Sequence, residues 1–172
     1  MSVIAEMKTN SSSLTVEWKR IEILALCLVE SRANREPSKA LIQQLTDIQH
    51  NVNFLRKESS GWQNIISLQL SELAQDILAC VYAPFINPNV ALLFQDLQQN
   101  NGIYPTLAFL HQLLAFTEQE YLSTLQLLDK NDLLITHNLL LIEGSGPLQQ
   151  LKPHPDIITA ICGLPAQDLV IP

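Results

Sequence analysis

The sequence is poor in cations over most of its length. Only ten of its 172 residues are Lys or Arg, and beyond residue 57 the only ones are Lys130 and Lys152, against eleven Asp and Glu. Residues 1–57 hold the other eight cations, dispersed among six acids, and we interpret these cations as a solvated face. Because Lys and Arg contacts to phosphate supply most of the affinity for nucleic acid, residues 58–172 are not expected to bind a duplex.

Other features are scarce as well. No run of about eighteen apolar residues is present, which argues against a membrane span, and the N-terminus lacks the charged start and apolar core of a secretory signal. Cys27, Cys80 and Cys162 are far apart and lie among apolar residues, which is typical of buried thiols in a reducing compartment. The expected location is therefore the cytoplasm.

The patterns of catalytic and metal sites are missing too. The four histidines lie neither near one another nor near a cysteine at metal-ligand spacing, so no metal is expected. The Gly-x-x-x-x-Gly-Lys-Ser/Thr loop that holds nucleotide phosphates does not occur, and no Ser or Cys lies in a nucleophile elbow. The sequence thus predicts no catalytic residues and no cofactor, and the chain is not expected to be an enzyme.

What is present is a helical periodicity. Two apolar stripes at spacings of three and four residues predict a pair of antiparallel helices within residues 14–58. The first stripe is Leu14, Trp18, Ile21, Ala25 and Leu28, and the second is Leu41, Leu45, Ile48, Val52 and Leu55. Residues 1–13, which end in three serines, are predicted to be a flexible tail.

The sequence of residues 59–172 predicts a second folded unit. Helices are expected at 62–66, 71–82, 89–99, 106–115 and 117–129, followed by a last helix that starts near Pro155 and ends at Gly163. Ser71 is a candidate N-cap, and Thr117 and Glu120 fit a capping box. In the helix that they open, Tyr121, Leu125 and Leu128 are expected to point inward.

The stretch "NDLLITHNLLLIEG", Asn131 to Gly144, breaks the helical pattern. Two short apolar runs flank a polar Thr-His-Asn segment, which favours a small β-hairpin with His137 and Asn138 near its tip, and "LQQLK" is a further possible strand. Helices followed by such a hairpin are the order of a winged helix. The predicted fold is mainly α: a helical hairpin packed on a winged-helix-like domain with a β-hairpin wing.

The segment "APFINPN" is predicted to be a turn, because Pro84 and Pro88 oppose regular helix across it. It carries Phe85 and Ile86 where turns normally carry polar residues. These two side chains either fold back into the core or form an apolar anchor for another protein, and they are the candidate partner-binding residues.

Residues 62–168 also carry a resemblance. The runs "LSELAQDILACVYAP", "PTLAFLHQLL" and "LLITHNLLLIEG" resemble the N-terminal winged-helix region of bacterial AAA+ ATPases, including those encoded with extracellular contractile injection systems. The resemblance implies a non-catalytic domain that recruits a protein partner or substrate for a downstream motor, in an assembly that oligomerises through its ATPase core. A free-standing adaptor or structural protein of a phage-like assembly is the alternative, and a DNA-binding regulator is a third reading.

Overall fold

The N-terminal third folds as two helices that pack against each other. In this computed structural model, which describes residues 2–58, 61–99 and 102–163 (side chains from Leu14 onward), helix α1 spans Ser2–Arg32 and α2 spans Lys39–Lys57. The Ser38 hydroxyl caps α2 by accepting the Leu41 N–H at 3.1 Å. The predicted helical hairpin is present, but α1 includes residues 2–13, which were expected to form a tail.

The two helices are buried to different extents. Of the predicted α1 stripe, Leu14, Trp18, Ile21 and Ala25 are at most 5% exposed and lie in the same apolar cluster as the residues of the C-terminal unit. In α2 only Val52 of the predicted stripe is buried, and the others are half-buried. Helix α1 is therefore a core element of the whole fold, whereas α2 covers it from outside.

The centre of the molecule is a nearly fully buried helix. Helix α3 (Trp62–Ile65) is followed by α4 (Glu72–Ile86), which starts at the predicted cap, where Ser71 Oγ accepts the Ala74 N–H at 3.1 Å. Ten residues of α4 are buried, and the helix packs against α1 on one side and against α5 and later elements on the other. Such burial fits the apolar sequence of α4 beyond its first turns, which hold its only charges, Glu72 and Asp76.

The predicted "APFINPN" turn is wrong in its extent. Helix α4 continues through Pro84 to Ile86, and α5 (Pro88–Gln98) starts after the single residue Asn87, across which the axis bends by 106°. Pro84 lies in the last turn of α4, where it removes only one helical hydrogen bond, and the Asn87 N–H still reaches the Ala83 carbonyl at 2.8 Å. The Asn87 side chain then caps α5 by accepting the Asn89 N–H at 2.9 Å.

Two more helices lead to the wing. Helix α6 spans Leu107–Leu113 and α7 spans Glu118–Leu127. The capping box is confirmed, since Thr117 Oγ1 accepts the Glu120 N–H at 3.1 Å and Glu120 Oε1 accepts the Thr117 N–H at 2.9 Å. Thr106 caps α6 in a similar way, through the Phe109 N–H.

A β-hairpin wing is present, but it is formed by the second apolar run and the possible strand "LQQLK", not by the two apolar runs of Asn131–Gly144. The first apolar run forms a short helix, α8 (Leu133–Thr136), because the Asp132 carboxylate caps the Leu133 N–H at 2.6 Å. Strand β1 (Leu140–Glu143) instead pairs antiparallel with β2 (Gln150–Pro153), and Leu140 lies opposite Pro153. The tip is therefore the Gly144–Gln149 segment, and His137 and Asn138 precede the hairpin.

The wing is attached to the body at two points. The Leu151 N–H donates to the Pro105 carbonyl and the Leu107 N–H donates to the Gln149 carbonyl, which adds a short bridge before α6. On the other side, the buried Tyr82 hydroxyl donates to the Leu139 carbonyl at 2.5 Å and accepts the His154 N–H at 2.9 Å. The last helix, α9 (Pro155–Cys162), follows and ends at Gly163 as predicted, with φ 71°.

Within the described residues no single helix is long and apolar enough to cross a membrane, and α4 and α5 reach that length only as a sharply bent pair.

Candidate protein-interaction surface

Helix α7 and the wing are the elements with which a winged helix would meet a duplex, and the described residues 117–153 contain only two lysines, Lys130 and Lys152, and no Arg. Helix α7 contains no Lys or Arg, and Glu118 and Glu120 are exposed in its first turn. In the wing, the Lys152 ammonium is paired with the Glu143 carboxylate and lies 5.7 Å from the centroid of the Tyr104 ring. A polyanion would therefore meet mainly carboxylates here, with Lys130 as the one exposed cation outside an ion pair among residues 117–153.

The expected solvated face is present only in part: Lys19, Arg32, Arg35, Lys39 and Lys57 are exposed, whereas Arg20 and Arg56 are not. Arg56 on α2 is 8% exposed and holds Glu17 of α1 through two hydrogen bonds of 2.9 and 2.8 Å. It also lies 3.0 Å from Asp76 of α4, whose carboxylate accepts a further bond of 3.0 Å from Arg20. Burial alone would lower the pKa of Arg56, but the bonds and charges of Glu17 and Asp76 outweigh it and raise the pKa. Arg20 and Arg56 therefore join α1, α2 and α4.

Helix α7 exposes apolar side chains next to its carboxylates. Tyr121 is half-buried and Leu128 is 7% exposed, as predicted, but Leu125 is 41% exposed and does not point inward. Leu122 is 48% exposed. Because residues three and four apart share a helix face, Glu118, Leu122 and Leu125 form one exposed stripe, which we call the α7 stripe.

A cleft of about 410 Å³ separates α6 from the start of α7. It is lined by Ala108, His111, Gln112, Glu118 and Tyr121, so that Glu118 belongs both to the cleft and to the α7 stripe. The His111 and Tyr121 rings meet edge to face with centroids 5.3 Å apart. Arg32 donates to Oε1 of the cleft residue Gln112 at 2.6 Å and to the Leu97 carbonyl, so this cation already has acceptors.

The candidate residues Phe85 and Ile86 have different environments. Phe85, at the C-terminal end of α4, is 48% exposed. Ile86 is half-buried and packs against the core cluster. The structure thus combines the two sequence-based readings, because one side chain faces solvent while its neighbour contacts the core.

A family model described as "Winged helix domain, variant" matches residues 20–164. The chain belongs to this winged-helix family. Neither a curated protein nor a solved structure shows significant similarity to it. The matched residues of the winged-helix domain include all of α2 and residues 20–32 of α1, among them Ile21 and Ala25 of the common core.

The titratable residues of this winged-helix domain do not form a metal or thiol centre in the part of the chain that the structure describes. Among those residues no three His, Cys, Asp or Glu side chains are placed to hold a metal ion. The cysteines were all expected to be buried, but only Cys80 is; Cys27 is half-buried and Cys162 is exposed. Burial raises the pKa of the Cys80 thiol far above its usual range, which opposes a nucleophilic role.

Sequence reasoning missed most of this surface. The α7 carboxylates could be read directly, but the outward position of Leu125 could not, since the fully buried residue beside it is the polar Thr124, whose hydroxyl donates to the Glu120 carbonyl. No sequence signal other than the two helices pointed to the α6–α7 cleft.

Proposed function

We propose that this winged-helix domain is a non-catalytic protein-interaction domain at the N-terminus of a AAA+ ATPase, where it recruits a partner or substrate for the motor. The resemblance of residues 62–168 to such regions gives the context. The observation that carries the interaction role is the α7 stripe together with the α6–α7 cleft. DNA binding through α7 would instead require cations on this helix.

The charges on this face distinguish protein binding from DNA binding. Glu118 and Glu120 project from the first turn of α7, Asp129 and Asp132 follow its end, and Lys130 lies between these two. Each phosphate contact of a DNA-binding protein normally uses a cation or a backbone donor, and carboxylates repel the duplex. Exposed leucines beside a cleft are instead typical of surfaces that bury apolar side chains of another protein.

A non-catalytic role fits the chemistry of the described residues. Among the described residues no Ser or Cys lines the α6–α7 cleft and no three His, Cys, Asp or Glu side chains could hold a metal ion, and the sequence contains no phosphate-binding loop. We therefore propose that ATP binding and hydrolysis belong to a motor, and that this domain contributes only recognition.

The context is tested by reading the gene beyond the codon for Pro172. A nucleotide-binding motif in the same reading frame would support the proposal, whereas a stop codon would replace it with the free-standing adaptor. The purified 172-residue chain should not turn over ATP in the presence of magnesium; turnover above that of a mock purification would contradict the non-catalytic role.

The interaction role is tested by two binding assays on the full chain. In a gel-shift assay at low salt, duplex DNA should remain unbound, because low salt favours even weak phosphate contacts. Immobilised protein should enrich one or a few identified proteins from the source cells in a way that added DNA does not compete. Retention of DNA, or the absence of any enriched protein, would contradict the proposed function.

A further inference from the structure

The α7 stripe has the composition of one side of a helix–helix interface. Leu122 and Leu125 are three residues apart on one face and are 48% and 41% exposed, and Glu118 shares that face. Single exposed leucines are ordinary on protein surfaces. These two, however, share their face with Glu118, which lines the cleft of about 410 Å³ between α6 and α7, so that the stripe ends at the edge of a concavity.

Carboxylates lie at both ends of this apolar strip. Glu118 and Glu120 stand at the N-terminal end, and Asp129 and Asp132 at the C-terminal end. Lys130 is the one cation between Thr117 and Asp132, and Arg32, which contacts the cleft residue Gln112, is held by that side chain and the Leu97 carbonyl. The face therefore offers an apolar centre with acidic ends, and complementarity requires a partner with an apolar stripe and cations beside it.

The spacing of the leucines favours a helical partner. Ridges of side chains three and four residues apart on α7 leave grooves that accept the same spacing from a second helix. An edge strand is less suitable, because the described residues of α7 and the cleft offer no unpaired sheet edge. An amphipathic helix laid in a groove is a common mode of peptide recognition, with anchors at i, i+3, i+4 and i+7.

We infer that the α7 stripe and the α6–α7 cleft bind a basic amphipathic helix of another protein. Its apolar residues would cover Leu122 and Leu125 and enter the cleft beside Tyr121. Its Lys or Arg residues would lie next to Glu118 and Asp129. This inference rests on the proposed protein-interaction function and specifies the chemistry of the partner.

The direct test uses three designed peptides of about 14 residues, or roughly four helical turns. The first has Leu at one face and Lys elsewhere, the second has Glu in place of Lys, and the third has the composition of the first with the leucines scattered. Each is titrated into the isotope-labelled 172-residue chain and followed by amide NMR shifts. Shifts centred on α7 and the cleft are expected with the first peptide only.

Two matched variants locate the site. Leu122→Ser with Leu125→Ser removes the stripe, and Leu92→Ser with Leu148→Ser removes two leucines that are 65% and 68% exposed elsewhere. Both pairs should leave the melting temperature unchanged, because exposed side chains contribute little to stability. The first pair should weaken binding of the Leu/Lys peptide by about tenfold or more, and the second should not.

The inference and the proposed function fail in different ways. Equal binding of the scattered peptide, shifts away from α7, or unchanged affinity of the Leu122/Leu125 variant would overturn the inference. If that variant still enriches the same proteins from the source cells as the unaltered chain, the interaction role stands and the site lies elsewhere. If the unaltered chain enriches nothing, the proposed function itself falls.

Discussion

Arg56 on α2 and Glu17 on α1 form a two-bond ion pair in which both side chains are only 4% exposed. The pair lies inside a fold whose other contacts between α1 and the body are mainly apolar. Asp76 of α4 extends it, since its carboxylate contacts Arg56 and Arg20, each at 3.0 Å. The charges in this group balance, which is a requirement for burying them without large cost.

We expect Arg56→Ala to destabilise the fold by about 3–5 kcal/mol, because it leaves the Glu17 carboxylate buried without its partner. The combined change Glu17→Leu and Arg56→Leu should cost less than the sum of Glu17→Leu alone and Arg56→Leu alone. Urea unfolding of these three variants and the unaltered chain measures this coupling. Arg35→Ala is the control, since its pair with Glu30 is exposed, and it should have no measurable effect. Additive single and double effects would contradict a coupled pair.

Tyr82→Phe tests the link between α4 and the wing. The Tyr82 hydroxyl donates to the Leu139 carbonyl and accepts the His154 N–H, so its removal leaves these two backbone groups without their partner. A loss of about 2–4 kcal/mol is expected, at roughly 1–2 kcal/mol per unsatisfied group. Hydrogen exchange of the His154 amide should accelerate more than that of α1 amides. Tyr104→Phe serves as the control, and equal losses from both changes would contradict the link.

Burial of Tyr82 and Cys80 also predicts how stability depends on alkaline pH. Desolvation raises the pKa of both groups in the folded state, while the His154 N–H lowers that of Tyr82 only in part. A group whose pKa is raised in the folded state contributes to the free energy of unfolding. This contribution is complete below the pKa of the group in the unfolded chain, about 8.5 for a thiol and 10 for a phenol, and it declines above that pH. Unfolding free energy should therefore fall as the pH rises from about 8.5. A stability independent of pH in that range would contradict this, and Tyr82→Phe with Cys80→Ala should flatten the profile.

Caps were the local features that the sequence predicted best. Ser71, the Thr117–Glu120 box and Gly163 all act as expected, because capping depends on residues within one turn of the helix end. The apolar stripe of α1 was equally readable, as was the winged-helix order.

Features that depend on distant residues were missed. The Glu17–Arg56 pair joins residues 39 apart, and nothing in the local pattern of either helix indicates it. The run after His137 and part of the possible strand "LQQLK" are the strands of the wing, as predicted. Only the run before His137 was wrong, because the two apolar runs look alike in sequence, and the Asp132 cap and the pairing with Gln150–Pro153 separate them. Pro84 was read as a helix breaker, although its position in the last turn of α4 makes it tolerable.

Removal of residues 1–58 should abolish folding. Leu14, Trp18, Ile21 and Ala25 pack in the same cluster as α4, so a chain that starts at Ser59 would expose the core that α1 covers. We expect such a chain to be insoluble or to lack a cooperative thermal transition, as measured by circular dichroism. If it is as soluble and as thermally stable as the full chain, α1 is not a core element.

The last prediction separates Phe85 from Ile86, which the sequence marked together as partner-binding residues. Phe85 is 48% exposed, so Phe85→Ser should change stability by less than about 0.5 kcal/mol. Ile86 is half-buried against the core, so Ile86→Ser should cost about 1–3 kcal/mol. If Phe85 anchors a partner, Phe85→Ser should also reduce the recovery of the proteins enriched by the unaltered chain, with Leu92→Ser as an exposed control. A stable Phe85→Ser variant with full recovery would remove Phe85 from the binding surface, because an anchoring aromatic commonly carries a large share of the interface energy.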